Sequence, residues 1–351
     1  MNPADNIALP VLDCNLAEQS TPGQPLLELE GIEKRFGSGG SRTTALMVRL
    51  GLGAPPPQVH AVRHADLSLH SGEVIGLVGE SGCGKSTLGR IAAGIALPSQ
   101  GAIRYCGQDV NAMDREQKRA FELGVQMVFQ NPFASLNPRI RVGDAIAEAP
   151  RVHGIVDKAD IDEYVAGLMR KVGLDPSYRD RFPHQFSGGQ RQRIVIARAL
   201  SVKPKVLVCD EAVAALDVSV QAQVLNLFME LRRNMGLGYL FISHNLAVVE
   251  RFADRVLIMY LGRIVESAPA CDLFLRPAHP YTCALLDEIP SLESGARTYV
   301  PIRGELPSPM NPPSGCAFHP RCPHAMPICA TENPTPRNVE SGHWAACHLI
   351  Q

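Results

Sequence analysis

No stretch of the 351 residues approaches about eighteen uninterrupted apolar side chains, so a membrane-spanning helix is not expected. Charge of one sign is not in excess either. The 34 Lys and Arg nearly balance the 35 Asp and Glu, leaving a net charge of −1, and the basic surplus of a nucleic-acid binder is missing. The first residues, Met1-Asn2-Pro3-Ala4-Asp5, carry no basic run ahead of an apolar one. A secretory signal is therefore not expected, and a cytoplasmic protein is. The ten cysteines include no C-x-x-C pair, the usual mark of a zinc ribbon. Six of them, Cys14, Cys83, Cys106, Cys209, Cys271 and Cys283, are scattered and read as reduced thiols.

What is present is the pattern of an α/β protein. Residues 1–25 are polar and aperiodic, as a disordered lead-in would be. Leu26–Ile32 alternates apolar and charged residues like a half-buried strand. Gly37–Pro57 is rich in Gly, Ser and Pro and reads as an inserted loop. Leu67–Leu69 and Val74–Val78 are short strands, and Val206–Cys209 and Tyr239–Ile242 are buried ones. The last two end in Asp210-Glu211 and Ser243-His244. In open α/β sheets, ligands collect beyond such carboxyl ends. Residues 131–185 carry helical periodicity, for example Ile161–Val172, and read as a helical insert. From Pro269 the composition shifts to Pro, Cys and His, which places a small C-terminal module at 269–351 after a large domain at 26–268.

Gly79-Glu80-Ser81-Gly82-Cys83-Gly84-Lys85-Ser86-Thr87 fits the phosphate-loop pattern G-x-x-x-x-G-K-[ST], after an apolar strand and before a helix. Its glycines let the backbone close on phosphate oxygens, and its N–H groups point at that negative charge. Lys85 is expected on the β- and γ-phosphates and the Ser86 hydroxyl on Mg²⁺. Asp210 is placed to hold Mg²⁺, and Glu211 to polarise an attacking water.

Phe186-Ser187-Gly188-Gly189-Gln190 closely resembles the signature of the ABC ATPases, in the Phe-first variant of peptide importers. Ser-Gly-Gly opening a helix is a second anion cradle. The other family parts follow in order. Gln130 in Met127-Val128-Phe129-Gln130 resembles the Q-loop glutamine, which senses Mg²⁺ and the attacking water. Ala215-Leu216-Asp217 resembles the D-loop, and His244 the switch histidine at the γ-phosphate. Phe36 resembles the aromatic that stacks on adenine, with a core Phe as the alternative. Two positions depart from the family: Ala212 stands where Pro usually follows the catalytic Glu, and Ala214 where the D-loop usually begins with Ser. The resemblance implies a P-loop NTPase fold of the ABC type: a RecA-like core, an antiparallel β subdomain and a helical subdomain. It also implies ATP and Mg²⁺ as ligands, and two cassettes sandwiching two nucleotides. Lys85, Ser86, Gln130, Asp210, Glu211 and His244 of one cassette would meet Ser187, Gly188 and Gly189 of the other.

Further stretches resemble the peptide and nickel importer branch. They are Asn131–Arg139, Asp217–Gln223, His279-Pro280-Tyr281-Thr282, and the run from Gly304 to Cys347. The resemblance covers nearly everything after residue 26 and points to the F-type ATPase of oligopeptide and dipeptide systems. It implies a D-type partner cassette, two transmembrane permease subunits and, indirectly, an extracytoplasmic peptide-binding protein, with no nucleic-acid partner. The chain would sit peripherally on the cytoplasmic face of the inner membrane. The same motor serving nickel or another small solute, or a soluble non-transport ABC ATPase, is the alternative.

Cys316, Cys322, Cys329 and Cys347 crowd the C-terminus among prolines, in a segment too small to hold itself together easily. Four thiolates suit zinc or an iron–sulfur cluster. The resemblance favours a 4Fe–4S cluster, with Zn²⁺ second; His319, His324, His343 and His348 lie nearby as substitute ligands.

Overall fold

The computed structural model describes residues 23–37, 58–288 and 304–350. The expected lead-in and the expected loop after Gly37 lie outside them, apart from residues 23–25 and Gly37 itself. Twelve strands run in chain order among the described residues. The first six are β1 (Leu27–Gly37), β2 (Gln58–Leu69), β3 (Val74–Val78), β4 (Gln100–Tyr105), β5 (Gln108–Asp109) and β6 (Val125–Val128). The others are β7 (Val206–Asp210), β8 (Gly238–Ser243), β9 (Arg255–Tyr260), β10 (Arg263–Pro269), β11 (Arg337–Glu340) and β12 (His343–Ala345).

They form two sheets. A four-stranded antiparallel sheet has the order β2-β1-β4-β5. An eight-stranded sheet has the order β11-β12-β10-β9-β3-β8-β7-β6. Its five strands from β9 to β6 are parallel, and β10, β12 and β11 join antiparallel. The C-terminal hairpin thus extends the large sheet, with Glu266 opposite Ala345 and Ser267 opposite Trp344.

The parallel strands are buried on both faces, which is why Val74–Val78 reads as a continuous apolar run. Alternate side chains feed two separate cores. Ile75, Leu77, Val208, Leu240, Ile242 and Leu257 pack with the small sheet and the helix Lys85–Ala92. Val74, Val78, Leu207, Tyr239, Phe241 and Val256 share the other core with the helical insert. That insert comprises the helices Val142–His153 and Ile161–Lys171, closed by the helix Gly188–Leu200. Three arginines of this last helix tie it down: Arg191 donates to the Pro183 carbonyl, Arg193 to Val172 and Arg198 to Ser135. Gly76 lets the helix Leu246–Phe252 lie against β3; a Cβ there would stand 2.4 Å from Val249 Cγ1.

Candidate functional site

The strands β3, β8 and β7 are neighbours and run parallel, so the phosphate loop, His244 and Asp210-Glu211 emerge at one edge of the sheet. The loop's close approaches require glycine. A Cβ on Gly79 would stand 2.1 Å from the Met259 carbonyl oxygen, and one on Gly84, at φ +110°, 2.2 Å from that of Ala61. Gly82, at φ +82°, has open space where its side chain would be. The helix Lys85–Ala92 has no side-chain cap and no acid in its first turn. Its leading N–H groups are therefore left for an anion.

Lys85 is 5% exposed. Its ammonium donates to the carbonyls of Gly79 at 2.6 Å and Glu80 at 2.9 Å. Ser86 Oγ donates to Asp210 Oδ1 at 2.8 Å. Burial pushes the Asp210 carboxyl above its ordinary range, while the Ser86 hydrogen bond, Arg90 and Lys85 draw it down. A buried carboxylate beside a hydroxyl suits a small hard cation, and this donor set fits Mg²⁺.

Glu211 follows β7 in the left-handed region, at φ +48°, held there by its N–H donation to the Ile242 carbonyl at 3.0 Å. Gln130 Nε2 donates to one carboxylate oxygen at 2.6 Å, and His244 Nδ1 lies 3.2 Å from the other. Ser81 is exposed and Thr87 half-buried.

The remaining expected residues lie elsewhere. Ser187 and Gln190 form a reciprocal capping box at the start of the helix Gly188–Leu200. A Cβ on Gly189 would stand 2.3 Å from Val220 Cγ1, so that glycine admits the helix Val218–Met235. Asp217 precedes this helix and is exposed. No hydrogen bond among the described residues joins Ser187–Gln190 or Asp217 to Lys85, Asp210 or Glu211. Phe36 is 47% exposed, with the Lys34 ammonium 5.1 Å from its ring centre, so it is not a core residue.

The four C-terminal cysteines are free thiols. Burial raises Cys316, Cys322 and Cys347, and each of these also feels Cys329. They share a neighbourhood, yet the described residues contain no group of three or more His, Cys, Asp or Glu that could hold a metal ion. The expected ligand set for a 4Fe–4S cluster or Zn²⁺ is thus not formed.

Two further networks escaped motif reasoning. Glu266, wholly buried, accepts the N–H groups of Ala278 at 2.7 Å and His279 at 3.0 Å, the Thr282 hydroxyl, and His343 Nε2 at 2.8 Å. Glu80 in the phosphate loop is gripped by Arg321 and Tyr281. The string His279-Pro280-Tyr281-Thr282 was their signal. His279 caps the helix Pro280–Asp287, Tyr281 reaches Glu80, and Thr282 reaches Glu266.

A family model described as "ABC transporter" matches residues 62–214, and one described as "Oligopeptide/dipeptide transporter, C-terminal region" matches residues 265–329. The chain is 49% identical over 292 residues to a di/tripeptide transport ATP-binding protein, DppF, of Pseudomonas aeruginosa, covering 83% of this chain and 90% of that protein. It is 45% identical over 330 residues to the oligopeptide transport ATP-binding protein AppF of Bacillus subtilis, covering 93% and 98%. Among solved structures, cbiO1 from Clostridium perfringens, part of the ABC transporter complex cbiONQ, superposes with a TM-score of 0.60 at 24% identity, over 72% of this chain and 92% of that one. That likeness carries the fold alone.

Proposed function

The chain belongs to the ATP-binding subunits of oligopeptide and dipeptide ABC transporters, and from that premise we propose that residues 79–87 grip ATP while Glu211 drives its hydrolysis to power peptide import. The observation that carries this reading is the meeting, at one sheet edge, of the Ser86–Asp210 pair with a Glu211 carboxylate held by both Gln130 and His244.

The site residues divide the work. N–H groups from Ser81 to Thr87 and the Lys85 ammonium bind the phosphates; the Gly79 and Glu80 carbonyls take two of the three ammonium donors and leave one for phosphate oxygen. Ser86, Asp210 and Gln130 would hold Mg²⁺, which supplies neutralisation of the phosphate charge. Glu211 takes the proton of the attacking water, and Gln130 and His244 fix its carboxylate. His244, with a side chain 54% exposed, is open towards the γ-phosphate. Phe36 offers an exposed face for adenine.

Ser187, Gly188, Gly189, Gln190 and Asp217 serve the site of a second cassette, for which a D-type subunit is the reading. Their separation from Lys85 in hydrogen bonding supports that assignment. The chain divides into the ATPase domain at 26–268, with the helical subdomain at about 131–185, and the C-terminal segment at 269–351. Among the described residues no helix is long and apolar enough to cross a membrane. The likeness to peptide-transport ATP-binding proteins supports transmembrane permease subunits that form the pore, supplied by an extracytoplasmic peptide-binding protein, with this chain on the cytoplasmic face. An open cavity of about 400 Å³ lined by Gln130, Phe133, Gly188 and Leu216 supports docking of those subunits beside the Q-loop glutamine. The test is peptide uptake in a strain lacking the gene: the wild-type chain restores uptake and co-purifies with the permease subunits, and restoration by Lys85→Ala contradicts the reading.

A further inference from the structure

We propose that the C-terminal segment positions the phosphate loop, through a brace running from Arg321 to Glu80 and from Glu80 to Lys85. The inference rests on the phosphate-loop reading above. Every polar group of Glu80 is engaged. Its N–H donates to Tyr281 Oη at 2.9 Å, its carbonyl accepts Lys85 Nζ at 2.9 Å, and both its carboxylate oxygens accept Arg321 Nη1 at 3.0 Å.

The brace is itself held rigid. The Arg321 side chain is 7% exposed and lies 3.4 Å from Tyr260 Oη. Phe318 packs on both tyrosines, 5.3 Å from Tyr260 and 5.4 Å from Tyr281 between ring centres, and the tyrosines are 4.7 Å apart. Phe318 and Tyr281 are fully buried.

Two physical consequences follow for nucleotide binding. Peptide units are planar, so tethering the Glu80 N–H to Tyr281 fixes the Gly79 carbonyl that shares its plane and accepts Lys85 Nζ at 2.6 Å, while the Arg321 grip on the side chain restrains the residue whose own carbonyl accepts Lys85 Nζ at 2.9 Å. Second, Glu80 places a carboxylate in a loop built for polyphosphate. Unshielded, that charge would repel the substrate at short range in a poorly solvated place. Arg321 neutralises it with a charge-assisted pair. Removing Arg321 exposes the phosphates to an unpaired carboxylate, whereas removing both charges does not. Arg321 is thus a positioning residue, touching no substrate itself.

The experiment titrates MgATP against the purified full chain, in wild type, Arg321→Gln, Arg321→Lys, the double variant Arg321→Gln/Glu80→Gln, and Tyr281→Phe, with melting temperatures alongside. Arg321→Gln is expected to weaken ATP binding about ten-fold. Arg321→Lys recovers part of the loss, and the double variant binds more tightly than Arg321→Gln alone, which a merely structural strut would not produce. Tyr281→Phe, isosteric and expected to stay folded, frees the Glu80 N–H and weakens binding about three-fold; it decides the matter if Arg321→Gln does not fold. ATP affinity within about two-fold of wild type in every folded variant overturns the brace. Lys85→Ala run in parallel separates the two readings. A wild-type chain that binds no ATP sinks the phosphate loop itself, whereas wild-type binding that Lys85→Ala abolishes and the brace variants leave intact sinks the brace alone.

Discussion

Gln130 Nε2 donates to Glu211 Oε2 at 2.6 Å, joining residues 81 positions apart in the chain. The two stand just past the ends of adjacent parallel strands, β6 and β7, whose register pairs Val128 with Cys209. A glutamine amide cannot take the proton that Glu211 accepts, so, beside its share in holding Mg²⁺, its part is to aim the carboxylate. His244 holds the other oxygen from the next strand, β8. The candidate base is thus fixed from both sides before substrate arrives, which is what a general base needs.

Gln130→Ala should therefore lower turnover more than binding. We expect kcat to fall about ten- to a hundred-fold, with the ATP Kd within about three-fold of wild type. Steady-state phosphate release and nucleotide titration on the same preparation separate the two quantities. An equal loss in both would assign Gln130 to substrate binding.

The stability of the fold should fall in mild acid because of His279. Burial holds its imidazole down at about 4, from an ordinary 6.5. Between those values the unfolded chain binds a proton that the folded chain refuses. The contribution is complete above pH 6.5 and is lost as pH falls through about 4, amounting to about 3 kcal/mol. Urea denaturation at stepped pH measures it. His279→Asn keeps a side-chain acceptor for the Tyr281 N–H and should flatten the dependence.

Gly76→Ala should destabilise the large sheet without touching the site. The new methyl group would stand 2.4 Å from Val249 Cγ1 and 3.2 Å from Ala253 Cβ, in a fully packed layer. Overpacking of this kind costs about 1–3 kcal/mol. Pairing it with Val249→Ala opens the space, and the double variant should recover part of the melting temperature lost by the single one. No recovery would place the cost in the backbone rather than in that contact.

Local chemistry explains which parts of this molecule were legible in the sequence. The strands β3, β7 and β8 are short all-apolar runs that end in polar residues, and each was readable. The phosphate loop was readable because close approach admits only glycine at positions 79 and 84. The strand β4 carries Gln100, Gly101 and Arg104 on a half-exposed sheet, so it shows little periodicity. The three-residue strand β12 pairs with β11 on one side and with β10 on the other, and no local pattern announces the second, distant pairing. The brace on Glu80 was hidden for the same reason, since Arg321 reaches it across 241 positions. In the other direction, four crowded cysteines together with the family resemblance suggested a metal site, and no ligand group supports it among the described residues. Ligation needs converging side chains, and composition does not supply them.

The central claim is that ATP held by residues 79–87 is cleaved with Glu211 as the base. It is tested most directly by phosphate release from ATP by the full chain assembled with its transporter partners, wild type against Glu211→Gln. The account predicts that Glu211→Gln keeps wild-type ATP affinity and loses at least about a hundred-fold in turnover. Turnover close to that of the wild type would contradict it.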